Sequence, residues 1–544
     1  MAGQITQPIV VIDPSKERVQ KKDAIHLNIT AAMAVANTVK STFGPSGMDK
    51  MLVDAAGDIT ITNDGETILR KIDVEHPSAK TIVAVASTQE KEAGDGTTAA
   101  VMFAGELLKK AGNLVDQGIH PTTVSVGYKL AEGKSQELLS ELATDVARDN
   151  TDILQNIAST AMVGKLQEGS ALAPLCVQAA QAVEENGTVD VFRDILIKTS
   201  VGKRIEDSEL ITGIVLDKSR VNDAMPKIVK NARIALLTSS IEYRKFGVMP
   251  GGKSKDKVKI SSPDEMQGFY DGEEASIKSD IDSLYNIGTN VVFTAKSITE
   301  SSQGYLIKRG MLGVARVKDA DLEAISRATG ATIISNIVDV EESDLGTAGR
   351  IEEKGGEDEE LMYITGCTGP HTVSIVAHGS TVQVVDTVEG ALNDALRVVA
   401  DTIEDGEVTA GGGACEIELS LRLKKYAATI GGKEQLAVSA FADALETIPY
   451  TLADNAGFDA ENLLTTLKSK HIEGNISSGI NVYSGEVVDM YEQGIIEPLR
   501  VKTQSLKSAT DAVAMILKID DIFATTRREL APGPGQSAHD YDRY

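Results

Sequence analysis

Loops centred on glycine recur near both ends of this chain, on either side of a central third of different texture. Thr42-Phe43-Gly44-Pro45-Ser46-Gly47 closes one apolar-periodic stretch, Gly94-Asp95-Gly96-Thr97-Thr98 opens a second, and Gly411-Gly412-Gly413 precedes a third. Glycine lets a backbone come close to a phosphate and point successive N–H groups at it, and a helix N-terminus adds a favourable dipole. Taken singly, each loop is also what an ordinary turn requires. The reading that unites them is convergence on a single triphosphate.

Local periodicity supplies the frame. From Asp23 the apolar positions Ile25, Ile29, Ala32, Val35, Val39 and Phe43 advance by three or four, the period of an amphipathic helix. Lys50–Val53 and Asp58–Thr62 flank a short turn and predict a β-hairpin, after which Asn63-Asp64-Gly65 leads into a helix through Leu69. Further helices are predicted over 79–91, 98–114, 121–146, 151–185, 319–329, 380–403, 417–426 and 435–455. Strand-like runs cover 195–200, 214–216, 234–237, 290–294 and 373–377, so the middle of the chain is α/β. The segment 244–264, with Pro250-Gly251-Gly252 and Lys253, Lys255, Lys257 and Lys259, reads as a mobile surface segment, and the tail from Ala531 as disorder.

The chain has 544 residues, which argues for three or four folding units at roughly 150 residues each. Its 54 basic and 80 acidic residues give a formal charge of −26, a surface that repels phosphate backbones and anionic lipids. Nucleic acid and membranes are therefore excluded as main partners. Cys176, Cys367 and Cys415 are widely spaced and odd in number, against a disulfide framework or a zinc site and in favour of a reducing cytoplasm. No basic start followed by a long apolar core, and no 18-residue apolar run, is present, so a soluble chain outside the standard export route is expected. HExxH and G-x-S-x-G are absent, which removes the zinc-protease and serine-hydrolase readings.

Gly94-Asp95-Gly96-Thr97-Thr98 is the sharpest of the loops, because it adds a carboxylate able to hold Mg²⁺ and two hydroxyls able to reach phosphate oxygens. It lacks the GxxxxGK[ST] pattern of a P-loop. Asp64 follows the hairpin, and Asp394 lies on the helix before the triple glycine. Carboxylates so placed serve to hold a metal or orient an attacking water; a turn aspartate and a solvated helix aspartate are the plainer alternatives.

Taken together, the runs Lys40–Leu52, Ile61–Gly65 and Gln89–Thr98 resemble the three signatures of the group II chaperonins. Asp207–Ile211, Met225-Pro226-Lys227, Ala328–Ala331, Ala410–Gly413 and Glu497–Arg500 continue the likeness in family order, from about Lys22 to Thr526, most closely to archaeal thermosome subunits. The resemblance implies a multidomain α+β and α/β chain of three nested domains. A mainly helical equatorial ATPase domain would occupy 1–148 and 404–526, and a small α/β intermediate hinge 149–217 and 370–403. An α/β apical substrate domain would occupy 218–369, with a lid protrusion at about 243–286, leaving 527–544 as a tail.

By motif position, the resemblance places Thr42, Phe43, Gly44, Pro45 and Asn63 along ATP, with Gly94, Asp95, Gly96, Thr97 and Thr98 around its phosphates. It makes Asp95 the Mg²⁺ ligand and gives Asp64 and Asp394 the hydrolytic water. Lys165 would report the γ-phosphate to the hinge, and Gly412, Asn481 and Glu497 would complete the base and ribose side. K⁺ near the phosphates is also implied. The implied activity is ATP-driven folding of unfolded proteins inside two stacked rings, homo- or hetero-oligomeric, of about eight or nine subunits each.

Three positions depart from the family pattern. Ser46 stands where a basic residue is usual, Glu66 where a small apolar one is, and Ala99 where a third threonine is. The first and third remove donors on the phosphate side, which supports an alternative: a divergent, weakly hydrolysing structural subunit of a mixed ring. The segment 243–286 and the tail also match the family poorly.

Overall fold

The computed structural model describes residues 18–20, 22–166, 169–242, 263–355, 360–369 and 372–523. The lysine run, most of the 244–264 segment and the tail lie outside the described residues, as does the first part of the expected lid protrusion. Its second part is described in backbone as the helix Pro263–Asn286.

Three main apolar cores divide the chain, and the largest draws on both of its ends. Helices Lys22–Lys40, Pro77–Ala93, Thr97–Asp116 and Pro121–Leu142 pack with Ala414–Ala427, Glu434–Leu445 and Leu499–Leu517. The apolar stripe seen in the first of these helices accounts for its fit: Ile25, Ile29, Ala32, Ala36 and Val39 are buried on one face, against Phe103, Leu107 and Leu108. At the centre Phe441 meets Phe103 edge-on at 5.1 Å and Tyr128 at 5.9 Å. Phe441→Ala is expected to destabilise this unit by about 3–5 kcal/mol, read as a lower midpoint in chemical denaturation.

A second core combines Leu154–Ile195 with Val373–Ile403, and a third is formed within 214–364. A nine-stranded sheet runs through both. Its order is Ile195–Val201, Val373–Gly379, Glu209–Leu216, Glu360–Cys367, Gly346–Gly355, Ile228–Leu237, Val291–Thr294 and Leu312–Val314, with Ile333–Ile334 paired to Ile228–Leu237. The return of the chain at Val373–Gly379, parallel to Ile195–Val201, carries the long helix Val382–Asp405 back towards the two-ended core.

Several boundaries differ from the periodicity reading. The stretch 151–185 is two helices, Thr151–Met162 and Gly169–Val183, broken around Val163-Gly164-Lys165. The stretch 435–455 divides into Glu434–Leu445 and Thr447–Asn455. The helix from Pro121 ends at Leu142, because Thr144–Asp145 joins a small sheet with Glu407–Ala410 and Ile496–Pro498. The Ala- and Leu-rich composition on either side carries the helical reading across these breaks.

Candidate active site

Each glycine loop is held by an element remote from it in sequence. The helix Lys22–Lys40 stops in a turn in which the Met48 amide donates to the Ser41 carbonyl at 2.8 Å. The side chain of Asn455 donates to the Lys40 and Phe43 carbonyls at 3.1 and 2.8 Å, tying this loop to the C-terminal half. Gln89 likewise donates to the carbonyls of Asp95 and Val501 at 2.8 and 3.1 Å.

The antiparallel hairpin Lys50–Val53 and Ile59–Thr62 delivers Asn63 and Asp64. Asp64 caps the helix Gly65–Lys71, its carboxylate accepting from the Thr67 amide at 2.8 Å, while the Asn63 side chain donates to the Gly164 carbonyl. Gly65 lets this turn meet the next loop, since a Cβ there would stand 2.5 Å from the Thr98 hydroxyl. In the small sheet of Thr144–Asp145, Glu407–Ala410 and Ile496–Pro498, Thr409 pairs with Glu497, which sets that carboxylate beside the triple glycine.

These loops surround a cleft of about 380 Å³. Thr42, Phe43, Gly44, Pro45, Asn63, Asp64, Asp95, Gly96, Thr97, Thr98, Lys165, Gly412 and Glu497 line it. Two expected residues stand off the wall. Gly94 packs on Arg397, and the Asn481 carboxamide accepts from the Tyr483 and Ser484 amides at 2.9 and 3.2 Å, while Ile480, Val482 and Tyr483 reach the cleft. Asp394 lines an adjoining cavity of about 270 Å³ that shares Asn63, Asp64 and Lys165 with the first. Ala99 is on the cleft wall and Ser46 is not; Glu66 faces the second cavity and pairs with Arg70 at 3.7 Å.

The break between Thr151–Met162 and Gly169–Val183 places Lys165 where the two cavities meet. Its ammonium lies 3.0 Å from Asp64 Oδ1 and 2.5 Å from Asp394 Oδ2. Burial works against the charge on Lys165, but the two carboxylates overcome it and hold its pKa above the usual lysine value. Burial also pushes the Asp64 carboxyl up, and here Lys165 together with the Thr67 amide wins, so its pKa is lowered. Asp394 goes the other way: burial dominates, the carboxylates of Glu90, Asp95 and Asp64 add to it, and its pKa stays well above the ordinary value despite Lys165. Glu90 is pushed up to about 7, first by burial and in spite of Arg397. Two neighbouring carboxylates with pKa values driven apart are what separate roles in acid–base chemistry need.

Asp95 is half-buried, its carboxylate accepting from the Gly96 amide at 2.6 Å, and desolvation raises its pKa. A desolvated carboxylate with so few partners, set among hydroxyls and glycine amides, fits the hard-oxygen chemistry that a Mg²⁺ ligand needs. No group of three His, Cys, Asp or Glu side chains forms a ready-made metal cage among the described residues.

The sequence reading did not single out Asn455, Gln89, Glu416 or Lys502. Lys502, on the cleft wall, is half-buried between Glu416 at 2.8 Å and Glu497 at 2.6 Å. Their only signal is an unusual density of polar side chains in apolar helices. Gly94 adopts φ +62°, and a Cβ there would collide with the Arg397 stem. Gly94→Ala is therefore expected to destabilise the fold by about 1–3 kcal/mol, seen as a lower thermal midpoint.

Comparison with known proteins gives the family. A family model described as the TCP-1/cpn60 chaperonin family matches residues 35–527. Thermosome subunit beta of Archaeoglobus fulgidus is 47% identical over 540 residues, 98% of each chain. Thermosome subunit beta of Methanothermobacter thermautotrophicus is 48% identical over 526 residues, 96% of each chain. Among solved structures, the open-state monomer of a group II chaperonin from Methanococcoides burtonii is 42% identical with a TM-score of 0.58, covering 78% of this chain and 100% of that one. The chain therefore belongs to the TCP-1/cpn60 chaperonin family and is a group II chaperonin subunit of the archaeal thermosome kind, an ATP-dependent chaperone.

Proposed function

We propose that this subunit hydrolyses ATP with Mg²⁺ in the cleft between the glycine loops and uses the hydrolysis to close a double ring around unfolded proteins in the cytoplasm. The observation that carries the proposal is the Lys165 ammonium bridging Asp64 and Asp394 where the two cavities meet. Thr42 to Pro45 and Gly412 would hold the nucleoside, and Asp95 to Thr98 the phosphates. Mg²⁺ on Asp95 would neutralise charge on the phosphate oxygens.

Asp394 accepts a proton as a water oxygen bonds to the γ-phosphorus and the bond to the ADP oxygen breaks. Asp64 orients that water. Lysine has three donors, and two are engaged by carboxylates, so Lys165 retains one for a phosphate oxygen. Because that oxygen exists only before phosphate leaves, Lys165 is the residue through which the helix Val382–Asp405 senses the nucleotide state.

A weakly hydrolysing structural subunit is not favoured. Asp64, Asp95 and Asp394 are all present, and Ser46 lies off the cleft wall. The deciding experiment measures steady-state ATPase activity and refolding of a denatured test protein, with Mg²⁺ and K⁺ each omitted in turn. Mg²⁺-dependent turnover with ATP-dependent refolding is expected; assembled rings that refold nothing and release no phosphate would reject the proposal.

The pH dependence follows from Asp394. A base must be deprotonated to act, and this one titrates above the ordinary carboxylate range. The acid limb of kcat is therefore expected above the pH at which an exposed aspartate would titrate, and Asp394→Glu should move it.

A further inference from the structure

Arg397 follows Asp394 by one helical turn on Val382–Asp405, so the two side chains project from the same side of that helix. The Arg397 guanidinium donates from Nη1 to the Glu90 carbonyl oxygen and also to the Glu90 carboxylate, the latter at 2.8 Å. That carbonyl is the one that receives the Gly94 amide at 3.2 Å and so ends the helix Pro77–Ala93, one residue before Asp95. The Arg397 stem fills the space that a Cβ on Gly94 would take, and its Cζ stacks 4.3 Å from the centre of the Phe192 ring. Arg397 Nε is buried with no hydrogen-bond partner, so the side chain is held by the fork at Nη1 and by packing rather than by a full set of donors. One side chain thus grips the last turn before Asp95 while rooted beside Asp394.

We infer that Arg397 is a positioning residue: it sets the distance between the Asp394 carboxylate and the Asp95 turn, so that water activation and metal binding are assembled together when the two elements dock. The inference rests on the roles proposed above for Asp394 and Asp95. It assigns to the Glu90–Arg397 contact the coupling of the helix Val382–Asp405 to the phosphate loop, a task separate from that of Lys165, which reaches Asp64 on the hairpin side. A guanidinium can serve the carbonyl and the carboxylate of one residue in a fixed geometry; an ammonium on a flexible stem holds them less well.

The test uses the full chain in its assembled form. Arg397→Met keeps the stem against Gly94 and Phe192 and removes the fork, so it separates positioning from packing; Arg397→Lys is the conservative rescue. For Arg397→Met, kcat is expected to fall about tenfold with KM within about twofold, the signature of misplacement at the reacting centre. Hydrogen exchange at the Gly94 and Asp95 amides without nucleotide should rise about tenfold, and the Mg²⁺ concentration for half-maximal binding of a fluorescent ADP should rise by about threefold or more. Arg397→Lys should fall between, and Glu90→Ala combined with Arg397→Met should lower kcat no further than Arg397→Met alone.

Exchange at Gly94 and Asp95 within about twofold of the parent, together with an unchanged Mg²⁺ midpoint, would overturn the inference. So would an equal loss for Arg397→Met and Arg397→Lys in which kcat falls only as far as ring assembly does. Asp394→Asn run alongside keeps the two levels apart. If it retains turnover, the proposed hydrolytic site fails; if it is inactive while Arg397→Met behaves as the parent, only the positioning role fails.

Discussion

Asp394→Asn is expected to reduce ATP turnover by about 10²–10⁴-fold while leaving nucleotide binding and ring assembly intact. The substitution keeps the size of the side chain and an oxygen able to accept from Lys165, so packing at this buried position is conserved. What is lost is the negative oxygen that takes the proton from water. Asparagine has no comparable basicity, and no other carboxylate occupies its position: Asp64 has its second oxygen committed to the Thr67 amide, and Glu90 is engaged by Arg397. Quench-flow measurement of a single turnover, set beside equilibrium binding of ADP, checks it. Parental turnover in the variant would remove Asp394 from the chemistry.

Lys165→Met is the second large effect, and it reaches both activity and stability. Removing the cation leaves two inward-facing carboxylates without their shared partner, a change that destabilises by about 3–5 kcal/mol at buried sites. The pH dependence has a definite sign. Asp64 is held below its ordinary value partly by Lys165, so it stabilises the parent above the unfolded-state pKa and loses that contribution as pH falls through its folded pKa. Without Lys165 that contribution shrinks. Asp394, already raised by burial, loses the one neighbour that opposed the shift and rises further. A group whose folded pKa exceeds its unfolded value favours the fold at low pH and ceases to do so as pH rises through the folded value. Stability of the variant relative to the parent should therefore improve as pH is lowered from neutral into the carboxylate range. Thermal midpoints across that range check it, and a deficit that does not narrow on acidification would contradict the electrostatic account.

The parts of the molecule legible in its sequence are those governed by short-range rules. Two short strand-like runs flanking the Ala55-Ala56-Gly57 turn predict the hairpin, and the three-and-four spacing from Ile25 to Val39 predicts the first helix. The strand Glu407–Ala410 and its partner Ile496–Pro498 are too short to produce a period, yet their pairing brings Glu497 to the triple glycine. The helix break at Lys165 is passed over for a different reason: the stretches before and after it are Ala- and Leu-rich and read as one helix despite Gly164 and Gly169, and only the tertiary position of Asp64 and Asp394 gives the break its use. The motif residues themselves were readable from their likeness to a family. Their supports are set by tertiary pairing: Asn455 reaches the Phe43 carbonyl from 412 positions away, and Gln89, six positions before Asp95, also joins that loop to Val501, 412 positions on.

The most direct test is a structure of the assembled protein at high resolution with ADP, Mg²⁺ and aluminium fluoride. The account expects the metal on the Asp95 carboxylate, the fluoride group between Asp95–Thr98 and Lys165, and a water between that group and Asp394. A nucleotide bound outside this cleft, or a metal held by other side chains with Asp394 turned away from the fluoride group, would contradict it.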